Sequence, residues 1–188
     1  MKYVSDQVFD RQNYTENALP LAEYERCTFR DCIFSGATLS GIVFSECTFE
    51  RCNFSSAVIA RTSFRSAMFT KCKMLGLQFD ACEPFLFSIS AEDCQLDLAS
   101  FYQRKLRKMT FKNCSLKEAD FSEADLSAAV FDNCDLADAT FDQTVLEKTD
   151  FSKAFHYIIN PEKNNVKKAV FAVEGLPGLL TNFDIVIR

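Results

Sequence analysis

Large apolar residues recur along the chain at intervals of five, a period that neither an α-helix nor a β-strand has. A first run extends from Phe9 to Phe79, and a second run, shifted in phase by two residues, extends from Leu96 to Phe151. Two positions before most of these large residues stands a small one, most often Ala or Cys. We therefore expect one large and one small side chain in every five residues to face inward, and the other three to face water.

The cysteines indicate how many of these segments make one turn. A spacing of twenty occurs in two series, and a gap of twenty-two separates them: Cys32, Cys52 and Cys72, then Cys94, Cys114 and Cys134. Four segments of five residues give twenty, and the gap of twenty-two matches the phase shift. The sequence therefore predicts a coil with four sides, whose turns stack at the spacing of β-strands, about 4.8 Å.

Four cysteines near the N-terminus have the spacing of a zinc quartet or of two disulfides: Cys27, Cys32, Cys47 and Cys52. A tetrahedral zinc site needs ligands that converge on one point, whereas the coil would place these side chains in parallel ladders. Nine cysteines are an odd number, which argues against a complete disulfide framework and fits a reducing compartment. We expect the cysteines to be small apolar fillers, with Cys82 the most exposed and reactive of them.

The repeated units carry a family resemblance. Segments such as ADFSE, ADLSA and CDLAD resemble the pentapeptide repeat, which is a small residue, Asp or Asn, Leu or Phe, a small polar residue and a variable one. The resemblance extends from about Tyr24 to Phe151, and it implies an all-β solenoid, a right-handed quadrilateral β-helix. The predicted organisation is an N-terminal cap at residues 1–12, the repeats at 13–151, and a C-terminal capping and dimerisation module with a short helix and strand at 152–188.

The repeat changes register within residues 80–93, where two extra residues must be accommodated. Either one side of the coil bulges, or a loop protrudes and carries function, as loops on rigid scaffolds often do. The candidate partner loop consists of Cys82, Glu83, Pro84, Phe85, Leu86, Phe87 and Ser88. Arg104 then falls at an inward position. Because an unpaired buried Arg would be costly, we expect it to turn outward and to form a solvated basic rim with residues 105–108.

The tail after Phe151 reads as a different module. We expect a strand within Val166 to Val173, a helix from Pro177 to Phe183 because Pro suits a first helical turn, and a strand-like end from Asp184 to Arg188. The open end of a solenoid exposes strand edges and core, so the tail would cap it and could also pair two chains. The residues proposed for that interface are Leu176, Leu179, Leu180, Phe183, Ile185 and Ile187.

Acidic residues are concentrated late in the repeats, in a chain whose net charge is −5. Ten of them occupy predicted water-facing positions, with Lys148 the one base among them: Glu118, Asp120, Glu123, Asp125, Asp132, Asp135, Asp138, Asp142, Glu147 and Asp150. A charged surface keeps a solenoid soluble, but an acidic rod could also occupy a basic groove built for DNA. Net negative charge disfavours direct binding to nucleic acid or to an anionic membrane.

The expected function is binding rather than catalysis. The sequence has no Gly-rich phosphate loop, no metal-ligand set and no Cys–His pair, so we expect neither an enzyme nor a cofactor. In its uninterrupted repeat, its length and its apolar tail segment LLTNFDIVI, the chain most resembles Qnr-like pentapeptide-repeat proteins. The resemblance implies a homodimer that binds DNA gyrase or topoisomerase IV and protects it from fluoroquinolones or a related poison, although the long loops that many Qnr proteins use for protection are replaced here by a two-residue insertion. The alternative is a scaffold for another protein partner. With no signal peptide and no long apolar run, a bacterial cytoplasmic location is expected.

Overall fold

The computed structural model describes residues 2–186 and shows a parallel β-solenoid of about eight turns with one short C-terminal helix. Its elements are β1 (Lys2–Ser5), β2 (Val8–Asp10), β3 (Ala22–Glu25), β4 (Thr28–Arg30), β5 (Val43–Ser45), β6 (Thr48–Glu50), β7 (Ser63–Arg65), β8 (Ala67–Thr70), β9 (Ile89–Glu92), β10 (Thr110–Lys112), β11 (Val130–Asp132), β12 (Asp150–Phe151), β13 (Val170–Phe171) and α1 (Pro177–Leu180). Three 3-10 segments accompany them: Phe79–Ala81, Val173–Gly175 and Thr181–Phe183.

The turns stack in the register that the sequence predicts. Phe29 lies beside Phe9, twenty residues earlier, and Ile89 lies beside Ala67, twenty-two residues earlier. The four sides of a turn are called here side 1 to side 4. Strands β1, β3, β5 and β7 form a sheet on side 1, and the other nine strands form a sheet on side 2. Isolated parallel bridges hold sides 3 and 4, beginning at Asn13 and Thr38 respectively.

Stacked side chains fill the interior. On side 2 the rings of Phe9, Phe29, Phe49 and Phe69 lie nearly parallel, with centroids 4.7, 5.1 and 4.8 Å apart. Rings on adjacent sides meet edge to face, as Phe44 and Phe49 do at 5.2 Å. Both arrangements are favourable for aromatic pairs. The predicted inward positions of the large residues are thereby confirmed.

Most sides end in a corner that has left-handed backbone geometry. Arg51, Ser56 and Arg61 end three successive sides with φ of 52°, 58° and 58°. Most of these corner residues are not glycine, although an L-residue pays a steric cost there. Backbone hydrogen bonds to the next turn hold each corner, as when the Arg51 N–H donates to the Thr70 carbonyl at 2.9 Å. A corner side chain points into water, and so it can vary in charge without disturbing the core.

The coil is longer at both ends than the range 13–151 predicted from the repeats. Strands β1 and β2 pair with β3 and β4, and β13 pairs with β12. The ring of Phe171 stacks on that of Phe151 at 5.3 Å. The sequence obscures this last turn because a stretch without the repeat, residues 152–163, precedes it. A capping role for either end stays a prediction.

The predicted elements of the tail are partly confirmed. The strand expected within Val166 to Val173 is present, but only as Val170–Phe171. Residues 177–183 are helical, first as α1 and then as a 3-10 segment. The strand-like end is wrong for residues 184–186, because Asp184 has left-handed geometry with φ of 50° and Ile185 and Val186 lie outside any strand. Ile187 and Arg188 lie outside the described residues.

All nine cysteines are buried, unbridged thiols. Each one of the predicted quartet donates its S–H to a main-chain carbonyl one turn earlier, as Cys47 does to Tyr24 at 3.3 Å and Cys52 does to Phe29 at 3.4 Å. Thr62 makes the equivalent bond to the Leu39 carbonyl at 2.8 Å. The small inward residue therefore satisfies a carbonyl as well as filling space. Within residues 2–186, no group of three or more His, Cys, Asp or Glu side chains could hold a metal ion.

Candidate functional site

The loop at residues 82–88 replaces one side of the coil. Side 1 loses its strand here, because β7 is the last strand of the four-stranded sheet. Phe85 and Leu86 protrude with 65% and 61% of their surface exposed. Phe87 turns inward instead, and its ring meets that of Phe79 edge to face at 6.1 Å. The structure thus combines both alternatives: the two extra residues widen the side, and a short apolar tip projects from it.

Cys82 does not have the exposure expected from its position near the register change. It is 3% exposed, and its thiol donates to the Ile59 carbonyl at 3.5 Å. Burial raises the pKa of Cys82 to about 12, which leaves almost no nucleophilic thiolate at neutral pH. The expectation was wrong because Cys82 keeps its place in the inward ladder, and the insertion begins only after it.

Arg104 points inward, contrary to the expectation that it would turn outward. It is 8% exposed, and its guanidinium donates to the carbonyls of Asp80 and, at 2.6 Å, Cys82. It also lies over the Phe87 ring, 5.4 Å from the centroid, at a distance that favours a cation–π contact. The widened side leaves these carbonyls without a neighbouring strand, and Arg104 supplies the missing donors. The cost of burying the charge is offset by these contacts.

The ten predicted acidic residues lie on all four sides, and none of them is buried. Side 1 carries Asp125 and Glu147, side 2 carries Asp132 and Asp150, and side 3 carries Asp135. The other five lie together on side 4 and on the corner that leads to it: Glu118, Asp120, Glu123, Asp138 and Asp142. We call these five residues the acidic face.

Most acids outside the acidic face are paired with a base. The ion pairs are Asp125–Arg107 at 2.5 Å, Asp132–Lys153 at 3.0 Å, Asp135–Lys117 at 3.3 Å and Glu147–Lys148 at 4.0 Å. On the acidic face, Asp142 alone has a cationic neighbour among the described residues, Lys163 at 3.8 Å. Among the ten predicted acids, negative charge without a cationic partner is therefore concentrated on the acidic face.

Local hydrogen bonds hold the acidic face in position. Asp120 accepts the Ser122 N–H at 2.8 Å, and Glu123 accepts hydrogen bonds from Tyr102 at 3.0 Å and Gln103 at 2.7 Å. These neutral donors orient the carboxylates without removing their charge. Asp138 and Asp142 line one surface groove. The sequence identified the acids, but assigning each of them to one of the four sides required the corner positions that the structure shows.

Two acids outside the acidic face are stabilised in their ionised form. Burial opposes ionisation of Asp125, but hydrogen bonds from Ser127 and Arg107 outweigh it and lower the pKa of Asp125. Burial likewise opposes ionisation of Asp135, and hydrogen bonds from His156, the Ala137 N–H and Lys117 lower the pKa of that carboxyl. These residues contribute to stability rather than to a free charged surface.

The C-terminal end of the rod carries an apolar surface. Three of the residues predicted for a dimer interface, Leu176, Phe183 and Ile185, are exposed. Leu179 packs on the core and Leu180 is half-buried, while Ile187 lies outside the described residues. This end also exposes apolar residues that were not predicted for the interface: Phe155, Ile158, Val170, Val173 and Val186.

Close contacts fix the helical module against the last turns. The Ile159 N–H donates to the Gly178 carbonyl at 3.0 Å. A Cβ at Gly178 would overlap the Tyr157 carbonyl, and one at Gly175 would overlap the Tyr157 hydroxyl. Glycine at these two positions lets the module approach the coil closely. Within residues 2–186, no helix is both long and apolar enough to span a bilayer.

Comparison with solved structures finds similar chains. The trypsin-treated form of a QnrB1 variant, described as a plasmid-mediated fluoroquinolone resistance protein, matches with a TM-score of 0.50 and 16% identity, over 100% of this chain and 92% of that one. HetL from the cyanobacterium Nostoc sp. strain PCC 7120, described as involved in regulation of heterocyst differentiation, matches with a TM-score of 0.44 and 16% identity, over 90% and 87%. No curated protein sequence matches the chain.

The family is shown by the repeats themselves. The family model for the pentapeptide repeat region matches residues 22–84 and 86–154, on both sides of Phe85. These two segments together make up more than half of the 188 residues. The chain belongs to the pentapeptide-repeat family.

Proposed function

We propose that this chain is a non-enzymatic DNA mimic that binds DNA gyrase or topoisomerase IV and protects it from fluoroquinolones or a related poison. The observation that carries the proposal is the acidic face, whose charge is left largely without cationic partners on one side of a rigid rod. A basic groove that accommodates DNA would attract such a surface over a distance.

The spacing of the acidic face suits mimicry by shape and sign. Glu118 and Asp138 are corner residues one turn apart, and turns stack at about 4.8 Å. Duplex DNA carries one charge per about 1.7 Å of axis, so the protein is less densely charged than DNA. The carboxylates therefore do not match the DNA phosphates one by one. The expected contacts are long-range attraction and a few direct ion pairs.

The proposed homodimer would place the acidic faces near the middle of a longer rod. The acidic face reaches the C-terminal end of the rod, because Asp138 and Asp142 line one groove with Ile158 and Asn182. Pairing of two chains at Leu176, Phe183 and Ile185 would remove these exposed apolar side chains from water. Sedimentation of Leu176→Glu/Phe183→Glu should then show a monomer, and the unaltered chain a dimer.

Gyrase supercoiling, titrated with this protein in the presence and absence of a fluoroquinolone, tests the proposed activity. Rescue of supercoiling at low protein concentration would establish protection. Inhibition without rescue would leave a DNA mimic that competes but does not protect. Absence of any effect on gyrase and topoisomerase IV from the host would contradict the proposal and favour a scaffold that binds another protein.

A further inference from the structure

Side 1 has the opposite electrostatic character to the acidic face. From residue 62 onward, seven outward bases on this side stand against three acids. The bases are Arg65, Lys105, Arg107, Lys108, Lys148, Lys167 and Lys168, and the acids are Glu83, Asp125 and Glu147. The chain as a whole has a net charge of −5, so this excess of bases is local. We call Arg65, Lys105, Arg107 and Lys108, which lie one turn to either side of the loop, the basic strip.

A groove joins the basic strip to the protruding loop. It has a volume of about 570 Å³, and its walls include Leu86, Phe87, Arg65, Lys105 and Arg107. Glu46 is the one acid among the residues that line it. The groove therefore combines an apolar wall with a cationic wall.

The cations of the basic strip are only partly neutralised within the chain. Arg107 pairs with Asp125 at 2.5 Å, and Arg65 reaches Glu23 at 3.8 Å while its Nε has no hydrogen-bond partner. Lys105 and Lys108 are exposed, and neither forms an ion pair with the residues that the structure describes. Positive charge thus remains available beside the groove.

The loop is fixed in place from inside. Arg104 donates to the carbonyls of Asp80 and Cys82 and lies over the Phe87 ring, so the tip of Phe85 and Leu86 projects from a held base. A docking surface that is ordered before binding loses less conformational entropy when a partner binds. The sequence did not predict that the loop is held at its base, because it predicted that Arg104 faces solvent.

We propose that the loop and the basic strip dock an acidic segment of a partner protein that carries a large apolar side chain. The apolar side chain would pack against Leu86 in the groove and the exposed Phe85 beside it, and neighbouring carboxylates would pair with Lys105 in the groove and Lys108 next to it. The exposed apolar tip favours a protein over a nucleic acid, whose backbone would use the cations alone. This surface lies on a different side from the acidic face, and it does not depend on gyrase as the partner.

Fluorescence anisotropy with three labelled probes tests the proposal on the full chain. The first probe is a short peptide of Asp, Glu and Ser with a central Leu-Phe pair, the second replaces that pair with Ser-Ser, and the third is a single-stranded oligonucleotide of equal charge. We expect the first probe to bind at least about tenfold more tightly than the other two, because it alone combines carboxylates with an apolar anchor.

Charge reversal locates the binding surface. Lys105→Glu/Lys108→Glu should weaken binding of the first probe at least about tenfold. The matched control is Lys71→Glu/Lys73→Glu, which changes charge equally at exposed lysines on sides 2 and 3 and should leave binding unchanged. Equal binding of the Ser-Ser peptide, preference for the oligonucleotide, no binding of any probe, or equal loss in the control would each overturn the proposal.

Discussion

The turns before the loop and the turns after it use the same twenty-residue ladder, but their corner residues arrange charge in opposite ways. In the N-terminal turns, corner residues twenty apart have opposite signs and pair: Arg26 with Asp6 at 2.9 Å and Arg51 with Asp31 at 2.7 Å. Outward strand residues pair in both halves, as Arg30 does with Glu50 at 2.9 Å and Lys112 does with Glu92 at 2.7 Å. In the C-terminal turns, the corner residues Glu118 and Asp138 have the same sign. Because residues twenty apart are neighbours on adjacent turns, their charges determine whether the two side chains attract or repel each other.

The interiors of the two regions differ much less. Before the loop, Phe occupies nine of the fifteen large inward positions from Phe9 to Phe79. After it, Phe and Leu alternate, and with four positions per turn the alternation places Phe on sides 2 and 4 and Leu on sides 1 and 3. The rings of Phe121 and Phe141 still stack at 5.2 Å, and Leu116 and Leu136 are fully buried. The two halves therefore share one packed scaffold, and they differ mainly in the charges of their outward residues.

The largest expected effect is in the shared interior. Phe49→Ala before the loop and Phe121→Ala after it should each lower the free energy of unfolding by about 3–5 kcal/mol, because each removes a fully buried ring from a stack. Urea unfolding followed by circular dichroism measures both. A loss in one half that is several-fold greater than in the other would contradict the claim that the two interiors are equivalent.

A smaller effect is expected at the boundary between the regions. Arg104→Met keeps most of the side-chain volume but removes the donors to the carbonyls of Asp80 and Cys82, which should cost about 1–3 kcal/mol. Hydrogen exchange should rise in residues 82–88 and stay unchanged near Phe29. Unchanged exchange in the loop would show that Arg104 does not hold it.

Exchanging the charge pattern between the halves should alter stability only slightly. Glu118→Lys places a cation one turn from Asp138 and should raise the free energy of unfolding by no more than about 1 kcal/mol. Arg51→Glu faces Asp31 with a like charge and should lower the melting temperature. Thermal unfolding at low and high salt measures both, and the two shifts should shrink as salt screens them. Shifts of the same sign would contradict the ladder explanation.

Acidification gives the smallest predicted effect. The pKa values of Asp125 and Asp135 are lowered in the folded chain, so their contribution to stability is present above their ordinary pKa of about 3.9 and is lost as the pH falls through the folded values. Asp125→Asn/Asp135→Asn should therefore flatten the decline in urea midpoint at acid pH. Asp132→Asn serves as a comparison, because it removes a similar ion pair, between Asp132 and Lys153 at 3.0 Å.

The sequence predicts the fold well because the pattern is both local and repeated. The five-residue spacing gives the inward residues, and the cysteines give four sides, which the register of Phe29 beside Phe9 confirms. Prediction fails where the pattern is interrupted. The prediction that Arg104 faces water is wrong because its buried partners are backbone carbonyls of a widened turn. Every residue type has a backbone carbonyl, so the sequence does not identify such partners.

The candidate sites were predicted less completely. The ten acids could be identified from their positions in the sequence alone. Separating the acidic face from the paired acids required knowledge of which bases reach an acid on a neighbouring turn, as Lys153 reaches Asp132 at 3.0 Å. The last turn was missed because Val166 and Phe171 follow a stretch without the repeat. In both cases, the missing information concerned neighbours about one turn of the coil apart in the sequence.

Binding of purified gyrase to charge-reversed variants tests the central claim most directly. Asp120→Lys/Glu123→Lys/Asp142→Lys reverses three charges of the acidic face, and Glu92→Lys/Asp132→Lys/Asp150→Lys reverses three on side 2, the opposite side of the rod. At near-physiological salt, the first variant should lose gyrase binding by at least about tenfold, and the second should retain it. Equal loss in both, or retention by the first, would contradict the claim that the acidic face is the binding surface.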